Sequence, residues 1–172
     1  MDKLLERLST ESSELKDFLA RQTPPQLSYL EAAENNSRKV LVLSAASLFE
    51  HRITEALLAY ADKMSNSNKC VLSLIRNKAI KRQFHTFFDW ENKRAGTFYT
   101  LLGEDLGATV KATCNESPRK EQIGAFLEIG YLRNCMVHQN FAEFPLDKSA
   151  DDVRNLCELA DSFVDYVETL LA

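Results

Sequence analysis

At 172 residues, 45% of them hydrophobic and 27% charged, the chain has the size and composition of one globular domain able to bury a real core. A formal net charge of −4 argues against broad, sequence-blind coating of nucleic acid. No run approaches the roughly 20 apolar residues needed to span a bilayer, so no membrane partner is expected.

The opening stretch MDKLLERLSTE is acidic and amphipathic and lacks the apolar block of a signal peptide, which points to a cytoplasmic protein. Leu4, Leu5, Leu8, Leu15, Phe18 and Leu19 recur at helical spacing and predict a first helix over 2–21. Thr23-Pro24-Pro25 should end it, because proline cannot continue the backbone ladder. A long second helix follows from about Ser28 to Lys63. Its run from Val40 to Phe49, broken by Ser44 and Ser47, reads as buried on most sides.

Glu50 falls on the line of Leu43 and Leu57 in that helix. A carboxylate on an apolar stripe is costly unless paired. Its partner is expected to be Arg133 or His138 on a neighbouring helix, or a nearby cation such as Arg52 or Arg38.

The polar run SNSN at 65–68 reads as a loop. Beyond it, Val71, Leu72, Leu74 and Ile75 suggest a short helix, and FHTFFDW supplies aromatics without a period. Thr97–Leu102 should form another short helix, closed by Gly103 and Gly107. The stretch over about 65–110 is therefore read as a partly irregular insert. Residues 65–94 carry seven Lys/Arg against two acids, whereas 139–172 carry two against eight. This basic segment is either a solvated face or a lip around a cleft. Its aromatics either pin a loop to the core or stack bases.

Ser117-Pro118 followed by Glu121 predicts a helix start, with serine as N-cap and proline at the first helical position. Ile123, Phe126, Leu127, Gly130 and Tyr131 lie on one side of that helix. Pro145 interrupts the chain, and a last helix over about Ser149–Leu171 is periodic through Val153, Leu156, Ala160, Phe163, Val167 and Leu170. Few glycines and prolines and many helix formers support the sum: an all-α bundle of four main helices in a single domain.

Cys70, Cys114, Cys135 and Cys157 form no CxxC pair and are read as buried thiols. With His51, His85 and His138 the only histidines, no metal-ligand spacing appears. No metal and no cofactor are expected.

The segment YLRNCMVHQNF, 131–141, places Arg133, Asn134 and His138 among apolar neighbours. Asn134 and His138 are four apart and share a helix face, so the amide could orient the imidazole. Arg133 and His138 are five apart, roughly 140° around an α-helix axis. They converge on one ligand only if the helix ends near His138, or if two copies of the motif meet across a two-fold axis. A histidine near neutral pKa can move the proton of a ribose 2′-hydroxyl, and a guanidinium can hold the scissile phosphate. The plain alternative is a structural histidine.

R-N-x-x-x-H on a late helix, after a helical core, resembles the HEPN superfamily, whose marker is arginine, four to six residues, then histidine. LVLSAASLFEHRITEAL (41–57) is similar to the second helix of the branches tied to bacterial conflict systems, the RiboL-PSP and MAE-type groups, where a carboxylate also sits. The resemblance covers about 28–63 and 118–171 and is weak across the insert. It implies an all-helical homodimer with a composite active site, cutting RNA without metal as a toxin or effector in defence, with an antitoxin or defence-system partner. Arg133, Asn134 and His138 would be catalytic, with Glu50 supporting them from behind. A second kind of member is a non-catalytic dimer that binds a nucleotide or a protein; the acidic net charge is a mild point for it, and the presence of Arg133, Asn134 and His138 together is a stronger point for activity.

Overall fold

The computed structural model describes residues 1–22 and 27–172. Helix α1 (Lys3–Ala20) starts where the Asp2 carboxylate accepts the backbone N–H of Leu4. Only Leu5 of its stripe is fully buried, while Leu15 and Phe18 stand exposed, so α1 packs through its first half. The expected stop at Thr23-Pro24-Pro25 lies outside the described residues.

Helix α2 (Leu27–Met64) spans 38 residues, about 57 Å at the α-helical rise. It is the axle of the bundle: α1, α6 and α7 all pack on it. The buried run Leu41, Val42, Ala45, Phe49 and Ile53 fills the space between them. A short helix α3 (Lys69–Ile75) is capped by the Asn68 side chain, which accepts from the Cys70 and Val71 amides. The chain then continues through a π turn at Arg76–Ile80 and a 3₁₀ turn at Phe84–Thr86. A tight turn follows, closed by paired backbone bonds of 2.9 Å between Asp89 and Arg94.

Helix α4 (Gly96–Leu101) and helix α5 (Glu104–Cys114) come next. Gly103, at φ +84°, does end α4. Gly107 does not close anything, contrary to expectation. It lies inside α5, where a Cβ would come within 2.1 Å of the Tyr99 carbonyl oxygen. Its missing side chain lets α5 press onto α4.

Helix α6 (Arg119–His138) begins one residue later than expected. Pro118 takes the cap position, and the Ser117 hydroxyl donates to Glu121 instead of capping. Helix α7 (Ala150–Leu171) opens on a capping box in which Ser149 and Asp152 satisfy each other's backbone amides. Its buried line is Val153, Cys157, Ala160, Phe163, Val164, Val167 and Leu171, so Leu156 and Leu170 sit at the edge of the stripe.

The architecture is an all-α bundle of four main helices, and among the described residues it contains no strand. Phe126 of α6 holds the centre, with ring centroids 6.3 Å from Phe49, 5.0 Å from Phe88, 5.8 Å from Trp90 and 5.1 Å from Phe163. The aromatics of the insert are therefore core residues that pin it to α6, each burial worth about 1.5–3 kcal/mol. Two thiols, Cys114 and Cys157, are buried as expected, but Cys135 is half-buried and Cys70 is exposed on α3. Among the described residues no helix is long and apolar enough to cross a membrane.

Candidate functional site

A cavity of about 300 Å³ opens between α2, α6 and the 82–90 segment. Ala46, Phe49 and Glu50 line it from α2; Phe126, Ile129, Gly130, Arg133 and Asn134 line it from α6. Arg82, Phe84, His85 and Trp90 complete the wall. Its floor is aromatic and its rim is polar. That combination is what small-molecule sites share: an apolar body with a few convergent polar groups.

Local structure sets each part. Gly130 faces Trp90 so closely that a Cβ would lie 2.1 Å from the indole ring, so glycine is what lets the ring rest on α6. The indole N–H then donates to the His85 carbonyl at 3.1 Å, fastening the loop that carries Arg82 and His85. Arg82 is held at φ +63°, a left-handed backbone that few non-glycine residues adopt.

Arg133 is half-buried, and its Nη1 donates to the Asn134 side-chain oxygen at 2.9 Å. Among the described residues it takes no carboxylate within ion-pair distance. Asn134 thus engages Arg133, and in the single chain its carbonyl is not the group that orients His138.

His138 is the last residue of α6 and is exposed. The helix ends there, one of the two geometries that the five-residue spacing allows. The backbone leaves the helix through Gln139 and turns at Asn140, with φ +67°. His138 does not line the cavity that holds Arg133 and Asn134.

Behind this turn lies a group that the sequence did not single out. Lys39 on α2 is fully buried, its ammonium donating to the carbonyls of Phe141 (2.9 Å) and Ala142 (3.3 Å) and lying 5.3 Å from the Phe141 ring centroid. It ties the segment after His138 to the bundle.

Glu50 corrects a premise. It is exposed rather than buried on an apolar stripe, so it owes nothing to a compensating partner. Neither Arg52 nor Arg38 pairs with it: Arg52 binds Asp161, Asp165 and Glu168, and Arg38 donates to the Glu34 and Lys148 carbonyls. What Glu50 shares with Arg133 is the cavity wall; it shares none with His138.

A second cleft, of about 720 Å³, is lined by Lys93, Arg94, Lys111 and Lys120 against a single carboxylate, Glu104. The basic excess of the insert is thus partly gathered at clefts. Among the described residues no three His, Cys, Asp or Glu side chains form a group that could hold a metal ion.

An all-α bundle of this kind fits the HEPN class of domains. A family model described as RiboL-PSP-HEPN matches residues 6–172, and the chain belongs to that family. The match takes in most of α1 and the insert, well beyond the two core stretches that carry the resemblance in the sequence. No curated protein and no solved structure matches the chain.

Proposed function

We propose that this protein is a HEPN endoribonuclease that cleaves RNA without a metal and works as a homodimer. HEPN domains are often ribonucleases, and membership of the family supports that starting point. The observation that carries the reading is Arg133: a guanidinium half-buried at a polar-rimmed cavity, partnered by one neutral amide, with donors left for an anion. A structural arginine in that position would be expected to have found a carboxylate.

In this mechanism Arg133 clamps the scissile phosphate through two N–H groups, and Asn134 holds the guanidinium in its plane. An imidazole takes the proton of the ribose 2′-hydroxyl. The 2′-oxygen bonds to phosphorus, the bond from phosphorus to the 5′-oxygen breaks, and the departing oxygen receives a proton from a second imidazole or water. Charge that builds on the phosphoryl oxygens falls to Arg133. His138 is the imidazole. Its place outside its own chain's cavity supports a site completed across the two-fold axis, with one chain's arginine served by the other's histidine. Lys93 at the second cleft is paired with Glu128, and its other cations, Arg94, Lys111 and Lys120, suit a ribose-phosphate backbone.

Within the cell the reading is of a toxin or effector in a bacterial conflict or phage-defence system, held in check by an antitoxin or another defence partner. That role rests on family membership alone.

The test is His138→Ala. Loss of general acid–base chemistry should lower cleavage about 10²–10⁴-fold in a protein that remains folded and dimeric. Products should end in 2′,3′-cyclic phosphate, and cleavage should survive EDTA. Full activity in folded His138→Ala protein would sink the mechanism, as would activity lost in EDTA and restored by magnesium. A monomeric mass at micromolar concentration by light scattering would sink the composite site. An inactive protein that still binds nucleotides would favour the second kind of family member, a binding dimer.

A further inference from the structure

We infer that the Arg133 cavity is a guanine-reading pocket, which makes the protein cut RNA on the 3′ side of guanosine. The inference rests on the ribonuclease reading for its cleavage half, but its binding half stands without it.

Three features of the wall carry it. The floor is made by Phe49, Phe84, Trp90 and Phe126, side chains buried in the core that give the cavity an apolar base against which a flat heteroaromatic ring can rest. The carboxylate of Glu50 has no cation within ion-pair distance among the described residues, although Arg82 and Arg133 line the same cavity. An ion-pair-free carboxylate beside two guanidinium groups remains available to accept from a ligand. Arg82 is brought to the wall by a backbone conformation that costs energy for a side-chain-bearing residue.

The donor and acceptor pattern then selects the base. A carboxylate accepts two hydrogen bonds side by side. Guanine alone among the four bases offers two adjacent donors on its pairing edge, N1–H and N2–H. Adenine and cytosine each pair one donor with an acceptor, and the single N–H of uracil is flanked by two carbonyls, which a carboxylate repels. On its opposite edge guanine presents O6 and N7, two acceptors that match a guanidinium fork. Glu50 and Arg82 thus make complementary demands that one base meets. With guanine seated, the 3′-phosphate of the same nucleotide falls to Arg133, so the sugar that attacks is the one whose base is held. A free guanine nucleotide would offer the same edges, but the open donors of Arg133 and the cationic second cleft point to guanosine within a strand.

The chain carries its own probe. Trp90 is its single tryptophan and forms part of the pocket wall, so a base that enters should change its fluorescence. The experiment titrates the protein with GMP, AMP, CMP and UMP. It also uses four short RNAs that differ in one central base and carry 2′-O-methyl groups to block cleavage. Saturable quenching by GMP at least about tenfold tighter than by the other three is expected, since a bidentate base contact discriminates by about 1–3 kcal/mol. The guanine-containing RNA should bind tighter still. In Glu50→Gln, where one acceptor becomes a donor, GMP should fall to the level of AMP. Arg82→Ala should weaken GMP more than UMP, and circular dichroism checks that both variants fold.

Equal responses to all four nucleotides, or none, would overturn the pocket even if the protein cuts RNA. GMP that binds while guanine-containing RNA does not would overturn the strand as its source. Guanine binding by a protein that cuts no RNA would keep the pocket and remove the ribonuclease reading. With RNA that carries free 2′-hydroxyls and active protein, sequencing of the product ends should show guanosine at the 3′ terminus of nearly every fragment. The His138→Ala protein should keep its guanine preference.

Discussion

Two arginines of this bundle, each half-buried on a main helix, have opposite surroundings. Arg52 on α2 is saturated: its guanidinium reaches Asp161 at 2.7 Å, Asp165 at 2.6 Å and Glu168 at 2.5 Å, all on α7. Arg133 on α6 holds a single neutral amide among the described residues and lines a cavity. The first spends its donors within the chain and joins two helices. The second keeps donors in reserve. A guanidinium that the fold has finished with is a structural part, and one left incomplete at a cavity is open to a ligand.

The largest effect should come from breaking the incomplete arginine. Arg133→Ala should lower RNA cleavage about 10²–10³-fold, with melting temperature unchanged within a degree or so. Arg133→Lys should recover little, because an ammonium cannot reproduce the two-pronged hold on phosphate. A loss of activity that merely tracks the folded fraction would erase the contrast between the two arginines.

The saturated arginine should show the reverse. Arg52→Met leaves Asp161, which is buried, with only the N-terminal ammonium of Met1 at 3.6 Å and should cost about 3 kcal/mol, or about 10 °C in melting temperature. Burial and the nearby Asp165 already push the Asp161 carboxyl above its usual range, with Arg52 pulling it back. Removing Arg52 raises it further, so the variant should be worst at neutral pH and recover as pH falls toward that carboxyl. Guanidinium unfolding at several pH values reads this directly. Activity per folded molecule should stay as in the parent.

Gly130→Ala tests what holds the cavity wall. The added methyl must displace the Trp90 ring, and overpacking of this kind costs about 1–3 kcal/mol. A red-shifted tryptophan emission should accompany the loss, together with weaker cleavage.

The smallest effect concerns Glu128 on α6, which pairs with Lys93 of the insert and lies 3.3 Å from Lys148 ahead of α7. Burial would raise its carboxyl, but Lys93 and Lys148 outweigh this and hold it below the usual range. Its contribution is therefore present at neutral pH and is lost as pH falls through the lowered value. Glu128→Gln should cost about 1 kcal/mol at neutral pH and flatten the acid limb of the stability profile.

The four main helices were legible because each carries one periodicity and a stop or start signal. Helix α5 was hidden by Gly107, which looks like a breaker until the close approach to Tyr99 is known. The start of α6 was misread because Ser117 has a competing partner in Glu121. At the cavity, Arg133 and Asn134 stood out as polar residues in an apolar segment. Glu50 drew notice for burial it does not have. Arg82 and His85 gave only the diffuse signal of a basic, aromatic stretch. Their place depends on Trp90 folding back onto Gly130, forty residues further along the chain, which no local pattern encodes.

Lys39 offers a chemical clock for the segment that follows His138. With no exposed surface and its ammonium tucked beneath the Phe141 and Ala142 carbonyls, it cannot meet an acylating reagent while that segment is docked. Surface lysines will react at once, whereas Lys39 can be modified only when the strap lifts. The rate of labelling at this one site, read by peptide mass, counts those liftings, and a ligand that braces the histidine turn would slow the count without touching the lysine itself.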